Sequence, residues 1–576
     1  MRYQPIYDIA EICARKNIKY VVLCPGSRCA PLTLAFSRHP EIDTKIFSDE
    51  RSAGFVALGM AQSTGSPVGV VCTSGTAVYN LAPAIAEAFF SQTPLIIFTA
   101  DRPAEWIAQQ DGQTIYQTEI FGKHVKKFFQ LPQDYDHGDS LWSVNRMVNE
   151  ALNLSLHFPR GPVHLNAPFR EPLYPSKGED EIRFTADVRI VAGHDSETRL
   201  SDGVKEQVRT AWPGFQNILL VGGQQPLDSH TIRAVNAFQQ KHGVPLVRDI
   251  ISNLHEAEDT IQHADLFLGQ ASENLKEMLR PDLLITFGNS LVSKNLKTFL
   301  RKYQAKRHWH IQPPGPLADT FKNITDVFFV TPQSFLDFLT SIETPSAFEG
   351  QKQKNYMKLW EVEDRRMTRI LEQHFADPHL SELGLVKYLL DNLPDHANLH
   401  LANSMSVRYA NFIGMQARKK GIQVFSNRGT SGIDGSTSTA VGHSLVSGRP
   451  NFLITGDLAF FYDRNAFWHN YSIQNLRILL LNNHGGLIFD VLEGPSSVPE
   501  AKEYFITRQT LNAGKLCEEF GFEWIRADHQ RKVKNFFKDF LAFDDNTKIM
   551  EFETDTSAEK RVLENLKLKI KESYDS

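Results

Sequence analysis

Short runs of continuous apolar residues, each closing in a loop of Gly, Ser, Asp or Arg, recur along the whole chain. YVVLCPGS, KIFSDE, VGVVCTSGTA, PLIIFTADRP and GPVHLNAP fall in the first third. NILLVGG, VPLVRD, DLLITFGN and DVFFV follow, then NLHLANS, IQVFSNRG, NFLITGDLAF, LRILLLNN, FEWIRA and KIMEFET. A strand that is apolar throughout, rather than at every second residue, is buried on both faces. Helical stretches separate these strands, as in Arg51 to Ala61 and in the Ile6, Ile9, Ala10, Cys13 spacing. The pattern predicts an α/β protein with doubly wound parallel sheets.

Two breaks partition it. LYPSKGEDE is rich in Pro, Gly and charge and reads as a linker, and IETPSAFEGQKQKNYM reads as a second. Three domains are expected, over residues 1–185, 186–355 and 356–576, with the charged tail after Asp555 expected as a solvated helix or frayed end. The length of 576 residues is ample for three cores. With 67 acidic and 62 basic residues the net charge is −5, too balanced to indicate a nucleic-acid or membrane-surface partner. Five cysteines without a C-x-x-C pair argue against a disulfide framework or a cysteine zinc site. The start carries Asp8 and Glu11 rather than an apolar stretch, and no long uncharged apolar run occurs, so a cytoplasmic location is expected.

Ligands of such sheets bind beyond the carboxyl ends of the strands. Common signatures fail there. There is no P-loop, no G-x-G-x-x-G after a strand and no G-x-S-x-G elbow. His255-Glu256 begins an H-E-x-x-H, but Asp259 stands in place of the second His. A different constellation holds. Gly456-Asp457-Leu458 follows the strand NFLIT, and Asn483 follows the strand LRILLLN 26 positions after Asp457. A hard divalent cation takes oxygen ligands and completes its shell with phosphate and water. Asp457, Asn483 and the carbonyl of Gly485 could supply three such ligands. Each half alone also reads as an ordinary helix cap or turn. Glu50, after the strand KIF, reads equally as an acidic residue favouring a helix N-terminus.

The spaced GDL and NN pair resembles the diphosphate-binding signature of thiamine-diphosphate enzymes. PGSRCAPL, SDERSAGFVALGMA, CTSGTAVYNLAPA, ADRP with Gln113 eleven positions after Arg102, and SNRGTSGIDGSTSTAVG extend the likeness. Together they resemble one family of that superfamily, the 2-succinyl-5-enolpyruvyl-6-hydroxy-3-cyclohexene-1-carboxylate synthases of menaquinone biosynthesis. The resemblance runs from about residue 20 to about residue 495 and is looser in the middle third. Leu458 departs from the superfamily's usual Gly, Cys29 stands where Ser is expected, and Asn295 replaces a second cation found in some relatives.

That resemblance implies three α/β domains of the thiamine-diphosphate enzyme type and bound thiamine diphosphate with Mg²⁺ or Mn²⁺. It implies a homodimer or homotetramer with active sites between subunits. The implied reaction is decarboxylation of 2-oxoglutarate and 1,4-addition of the succinyl carbanion to isochorismate, by a transferase. The alternatives are another thiamine-dependent 2-oxo acid decarboxylase or carboligase, and a non-catalytic cofactor-binding relative. Matched residue by residue, Glu50 would activate the aminopyrimidine, and Ser27, Gln113 and Ser404 would hydrogen-bond substrate or intermediate. Arg28, Arg102, Arg408, Arg428 and Lys294 would meet substrate carboxylates, since a guanidinium can grip a carboxylate with two hydrogen bonds. Ile433 would prop the cofactor, Met405 and Leu458 would contact it, and Ile488, Phe489 and Leu492 would line the pocket.

Overall fold

The computed structural model describes residues 3–575 except 176–183, 185–187, 195, 344–346, 377–379, 417–418, 492–493, 529–532 and 545. Its strands are β1 (Tyr20–Leu23), β2 (Asp43–Ile46), β3 (Val68–Cys72), β4 (Leu95–Asp101), β5 (Phe128–Gln130) and β6 (Val163–Pro168); β7 (Ile218–Gly222), β8 (Leu246–Arg248), β9 (Thr260–Ile261), β10 (Leu283–Phe287), β11 (Arg307–Gln312) and β12 (Asp326–Phe329); then β13 (Asn398–Leu401), β14 (Gln423–Phe425), β15 (Asn451–Gly456), β16 (Leu476–Asn482), β17 (Glu523–Arg526) and β18 (Lys548–Glu553). They form three six-stranded parallel sheets, so the α/β expectation holds.

The first sheet runs β2-β1-β3-β4-β6-β5 and the third β14-β13-β15-β16-β18-β17, the same topology twice. The second runs β12-β11-β10-β7-β8-β9, the order of a dinucleotide fold without its glycine fingerprint. In the first and third sheets the strand order reverses beside the first strand, so a crevice opens between β1 and β3 and between β13 and β15. The apolar character of the strands is the cause of this layering: β3, β4, β6 and β16 are buried at every residue.

By compactness the chain divides into two units. One comprises Met1–Ser196, Asn427–Gly448 and Ala459–Leu476 and holds the first sheet. In it the helix Glu50–Thr64 packs on the helix Ser436–Val446 at backbone distance. A Cβ at Gly59 would lie 2.1 Å from the Thr439 carbonyl oxygen, and one at Gly442 2.1 Å from that of Val56, so both positions require glycine. The second unit comprises Glu197–Ser426, Arg449–Leu458 and Arg477–Ser576 and holds the other two sheets. One of its apolar cores joins them through Trp360 and Met367.

Two sequence expectations are corrected. The stretch read as the second linker enters a helix, Ala347–Ala376, whose Tyr356, Trp360 and Met367 are buried. Its many charges mask the periodic apolar face. The tail after Asp555 forms the helix Thr556–Asp575, which buries Leu563, Leu566 and Ile570 in the same core instead of standing in solvent. The strands β5, β9 and β11 lack an apolar run; in β11, His308 Nε2 and His310 Nδ1 each meet the Thr286 hydroxyl at 2.8 Å.

Candidate active site

In the first unit the expected residues gather at the carboxyl ends of the strands. Glu50 is the first residue of its helix, with Asp49 as cap accepting from the Arg51 and Ser52 amides at 2.9 and 3.4 Å. Its half-buried carboxylate receives the Asn80 amide at 3.4 Å. Burial raises the Cys24 and Cys72 thiols well above their usual range, neighbouring thiols next, with the Glu50 carboxylate adding to the effect. Glu50 therefore stands beside the ends of β1 and β3, at the crevice.

Arg28 follows β1 and is buried, donating to the Phe169 carbonyl at 2.9 Å and to Glu171 at 3.2 Å. Burial lowers its pKa, and the Arg102 guanidinium lowers it further. Arg102, after β4, pairs with Asp111 at 2.8 Å and the Gly112 carbonyl at 3.0 Å; its buried Nε has no partner. Each guanidinium already holds a carboxylate of the chain, Glu171 on Arg28 and Asp111 on Arg102, so a bound anion would share or exchange these contacts. Gln113 is exposed in a left-handed conformation (φ 56°) against Gly75, where a Cβ would come within 3.2 Å of it. Ser27 is exposed and receives the Tyr174 hydroxyl at 3.3 Å. The Thr73, Ser74 and Ser52 hydroxyls beside these loops are buried without partners.

The loop after β14 completes this half. Arg428 is half-buried, and Ile433 is 41% exposed, which removes it from the core. The loop is clamped by Glu87, a buried residue that had no sequence signal. Its carboxylate accepts from the Gly429 amide at 2.8 Å, the Thr430 amide at 2.7 Å and the Thr430 hydroxyl at 2.8 Å.

The second unit holds the remainder. Ser404 follows β13 in a left-handed conformation (φ 70°) that strains a side-chain-bearing residue, and its carbonyl accepts from Arg408 at 2.6 Å. Met405 beside it is buried. Lys294 is exposed at the first turn of the helix Lys294–Lys302. Its loop is held by two buried aspartates: Asp249 accepts from the Val292 and Ser293 amides, and Asp265 from the Ser293 hydroxyl at 2.5 Å and the Asn295 amide at 2.9 Å. Burial raises the pKa of Asp265; these hydrogen bonds and the Arg408 charge oppose that rise, which places Arg408 near the loop of Lys294.

Asp457 follows β15 and is 2% exposed. Burial raises its pKa, and Gln509, donating to Oδ2 at 2.6 Å, holds it down. Asn483, after β16, is 6% exposed; its Nδ2 donates to Glu382 at 2.8 Å, and its Oδ1 has no partner. The Gly485 carbonyl accepts from the Leu487 amide at 3.1 Å and keeps one lone pair. An orphaned amide oxygen, a buried carboxylate and a carbonyl fit a hard divalent cation with a diphosphate completing the shell. No group of three or more His, Cys, Asp or Glu side chains forms a metal site among the described residues, and this donor set needs none. Leu458 is half-buried, Ile488 packs partly on the core, and Phe489 rests against Phe505 at 6.1 Å. Leu492 lies outside the described residues.

Known proteins resemble this chain in sequence. Residues 7–124 match the family described as thiamine pyrophosphate enzyme, N-terminal TPP binding domain, and residues 197–401 the middle domain of thiamine pyrophosphate. Fold and site thus define a thiamine-diphosphate enzyme. A 2-succinyl-5-enolpyruvyl-6-hydroxy-3-cyclohexene-1-carboxylate synthase from Cytophaga hutchinsonii is 42% identical over 572 residues, 99% of this chain and 100% of the relative. Synthases of the same name from Flavobacterium johnsoniae (37%, covering 90% of each chain) and Porphyromonas gingivalis (36%, covering 95% and 93%) are also similar. The chain belongs to the 2-succinyl-5-enolpyruvyl-6-hydroxy-3-cyclohexene-1-carboxylate synthase family.

Proposed function

We propose that the protein is a transferase that decarboxylates 2-oxoglutarate and joins the succinyl fragment to isochorismate by 1,4-addition, using thiamine diphosphate and Mg²⁺ or Mn²⁺. The observation that carries this reading is the convergence of the Arg28 and Arg102 guanidiniums beside the crevice where Glu50 stands. Both forks already grip carboxylates, Glu171 and Asp111, which a dicarboxylate could replace, and both substrates are dicarboxylates.

Thiamine diphosphate, when bound, supplies the electron sink that makes loss of CO₂ feasible. The chain's own residues orient and charge-match around it. Asp457, Asn483 and the Gly485 carbonyl hold the cation. Glu50 would hydrogen-bond the aminopyrimidine and could hold or give up a proton there. Ile433, Met405 and Leu458 would hold the cofactor's shape, with Ile488 and Phe489 excluding water. Arg28, Arg102, Arg408, Arg428 and Lys294 take the carboxylates, and Ser27, Gln113 and Ser404 hydrogen-bond the reacting oxygens. We assign the pyrimidine to residues 1–185, a central α/β domain to 186–355 and the diphosphate to 356–576, in a homodimer or homotetramer with sites between subunits. No described helix is long and apolar enough to cross a membrane, and with buried free cysteines a cytoplasmic location is the proposal.

Purified protein with thiamine diphosphate, Mg²⁺ and 2-oxoglutarate should consume isochorismate in step with CO₂ release; CO₂ release that is indifferent to isochorismate would sink the reading. Glu50→Gln should keep cofactor binding and lower turnover by about 10²–10⁴-fold, the usual scale for a lost proton-transfer group. Unchanged turnover removes Glu50 from the chemistry.

A further inference from the structure

A carboxamide is two-faced. Its oxygen and nitrogen are nearly the same size, and only the surrounding hydrogen bonds decide which of them points where. For Asn483 the decision matters: an oxygen turned to the crevice binds a cation, and an amino group turned there repels one. The described surroundings of Asn483 supply one side-chain partner. Glu382 Oε1 accepts from Nδ2 at 2.8 Å, and this leaves Oδ1 buried and free.

Glu382 is itself completely buried and held from both sides. The Tyr409 hydroxyl donates to its Oε2 at 2.9 Å, and its backbone amide donates to Glu559 at 3.0 Å. Glu559 is tied in turn by the Thr554 hydroxyl at 3.1 Å. Ser381 caps the helix Glu382–Asn392, accepting from the Gly384 amide at 3.1 Å. Tyr409 lies on the helix Met405–Ile413 that carries Arg408, so the same carboxyl group spans the cation end and the substrate end of this unit.

We propose that Glu382 is a positioning residue that fixes the Asn483 amide with its oxygen toward the cation. The proposal rests on the reading of Asp457 and Asn483 as cation ligands. Partners of this kind commonly govern metal affinity by 10–100-fold.

The test is Mn²⁺ binding to the full-length enzyme with thiamine diphosphate present, read from the electron paramagnetic resonance of free Mn²⁺. Glu382→Leu, which removes the acceptor, should raise the dissociation constant about 10–100-fold. Glu382→Gln can turn its oxygen to Asn483 and its amino group to Tyr409, and should stay within about threefold of wild type. In an Asn483→Asp background the ligand has two equivalent oxygens and needs no orienting, so adding Glu382→Leu should cost no more than about twofold. An unchanged constant for Glu382→Leu, or an equal loss in both backgrounds, overturns the proposal. Where the Leu variant does not fold, a tenfold loss in the Gln variant overturns it instead, and retained affinity there supports it. If wild type fails to bind Mn²⁺, or Asp457→Ala binds it as tightly as wild type, the cation site is wrong and the proposal falls with it.

Discussion

At the residue scale, position after a strand made most of the site legible. Glu50, Arg28, Arg102, Ser404, Asp457 and Asn483 all follow apolar runs, and a parallel sheet delivers strand ends to one edge. Their supports were not legible. Glu382 lies 101 positions from Asn483 and Gln509 lies 52 from Asp457, in stretches with no motif. Glu87 lies over 340 positions from the loop it clamps. A buried carboxylate accepting three hydrogen bonds has no sequence signature, because its partners are two backbone amides and a hydroxyl. Removing it strands those donors. Glu87→Ala should therefore cost about 3 kcal/mol of stability and weaken the site more through Arg428 than through the cation ligands. Steady-state kinetics checks this: KM for the acidic substrate should rise several-fold while Mn²⁺ affinity stays put, and the opposite pattern would discard the clamp.

At the element scale, apolar run length identified the central strands, and charge hid the rest. The helix Ala347–Ala376 begins in the Glu-, Gln- and Lys-rich stretch that reads as a linker, yet Tyr356 within that stretch is buried. Close helix contact was equally silent: the crossing through Gly59 and Gly442 is fixed by two missing side chains. That crossing brings a further device. Asp463, fully buried, accepts from the Ser438 amide and hydroxyl, both at 2.7 Å, at the start of the crossing helix. Burial pushes its pKa up to about 6 from 3.8 despite those bonds. Between these values the folded chain keeps a proton that the unfolded chain has released, so stability falls as pH rises through the window. The shift corresponds to about 3 kcal/mol. Asp463→Asn has no such proton to lose. The melting temperature of the variant relative to wild type should climb from pH 4 to pH 7 and then level; a difference independent of pH would exclude a raised pKa at Asp463.

At the scale of the whole molecule, one topology is used twice, and on the proposed reading the chemistry divides between its two copies. The crevice of the first sheet carries Glu50, with Arg28 and Arg102 beside it; the crevice of the third carries Ser404 and Asp457, with Asn483 one strand further. Glu50 falls in one compact unit and Asp457 and Asn483 in the other, so on the proposed reading neither unit alone supplies both contributions. A homodimer with sites shared between subunits makes a prediction that a self-contained chain does not. Glu50→Gln disables one contribution and Asp457→Asn the other. If each site draws Glu50 from one subunit and Asp457 from its partner, a heterodimer of the two variants has one doubly defective site and one intact site. Random assembly makes half the dimers mixed, so co-expressed variants should recover about a quarter of wild-type specific activity, and a tetramer of such dimers the same. Affinity tags on the two variants isolate the mixed species, which should reach about half. Activity no greater than that of the separate variants would mean that each chain builds its site alone.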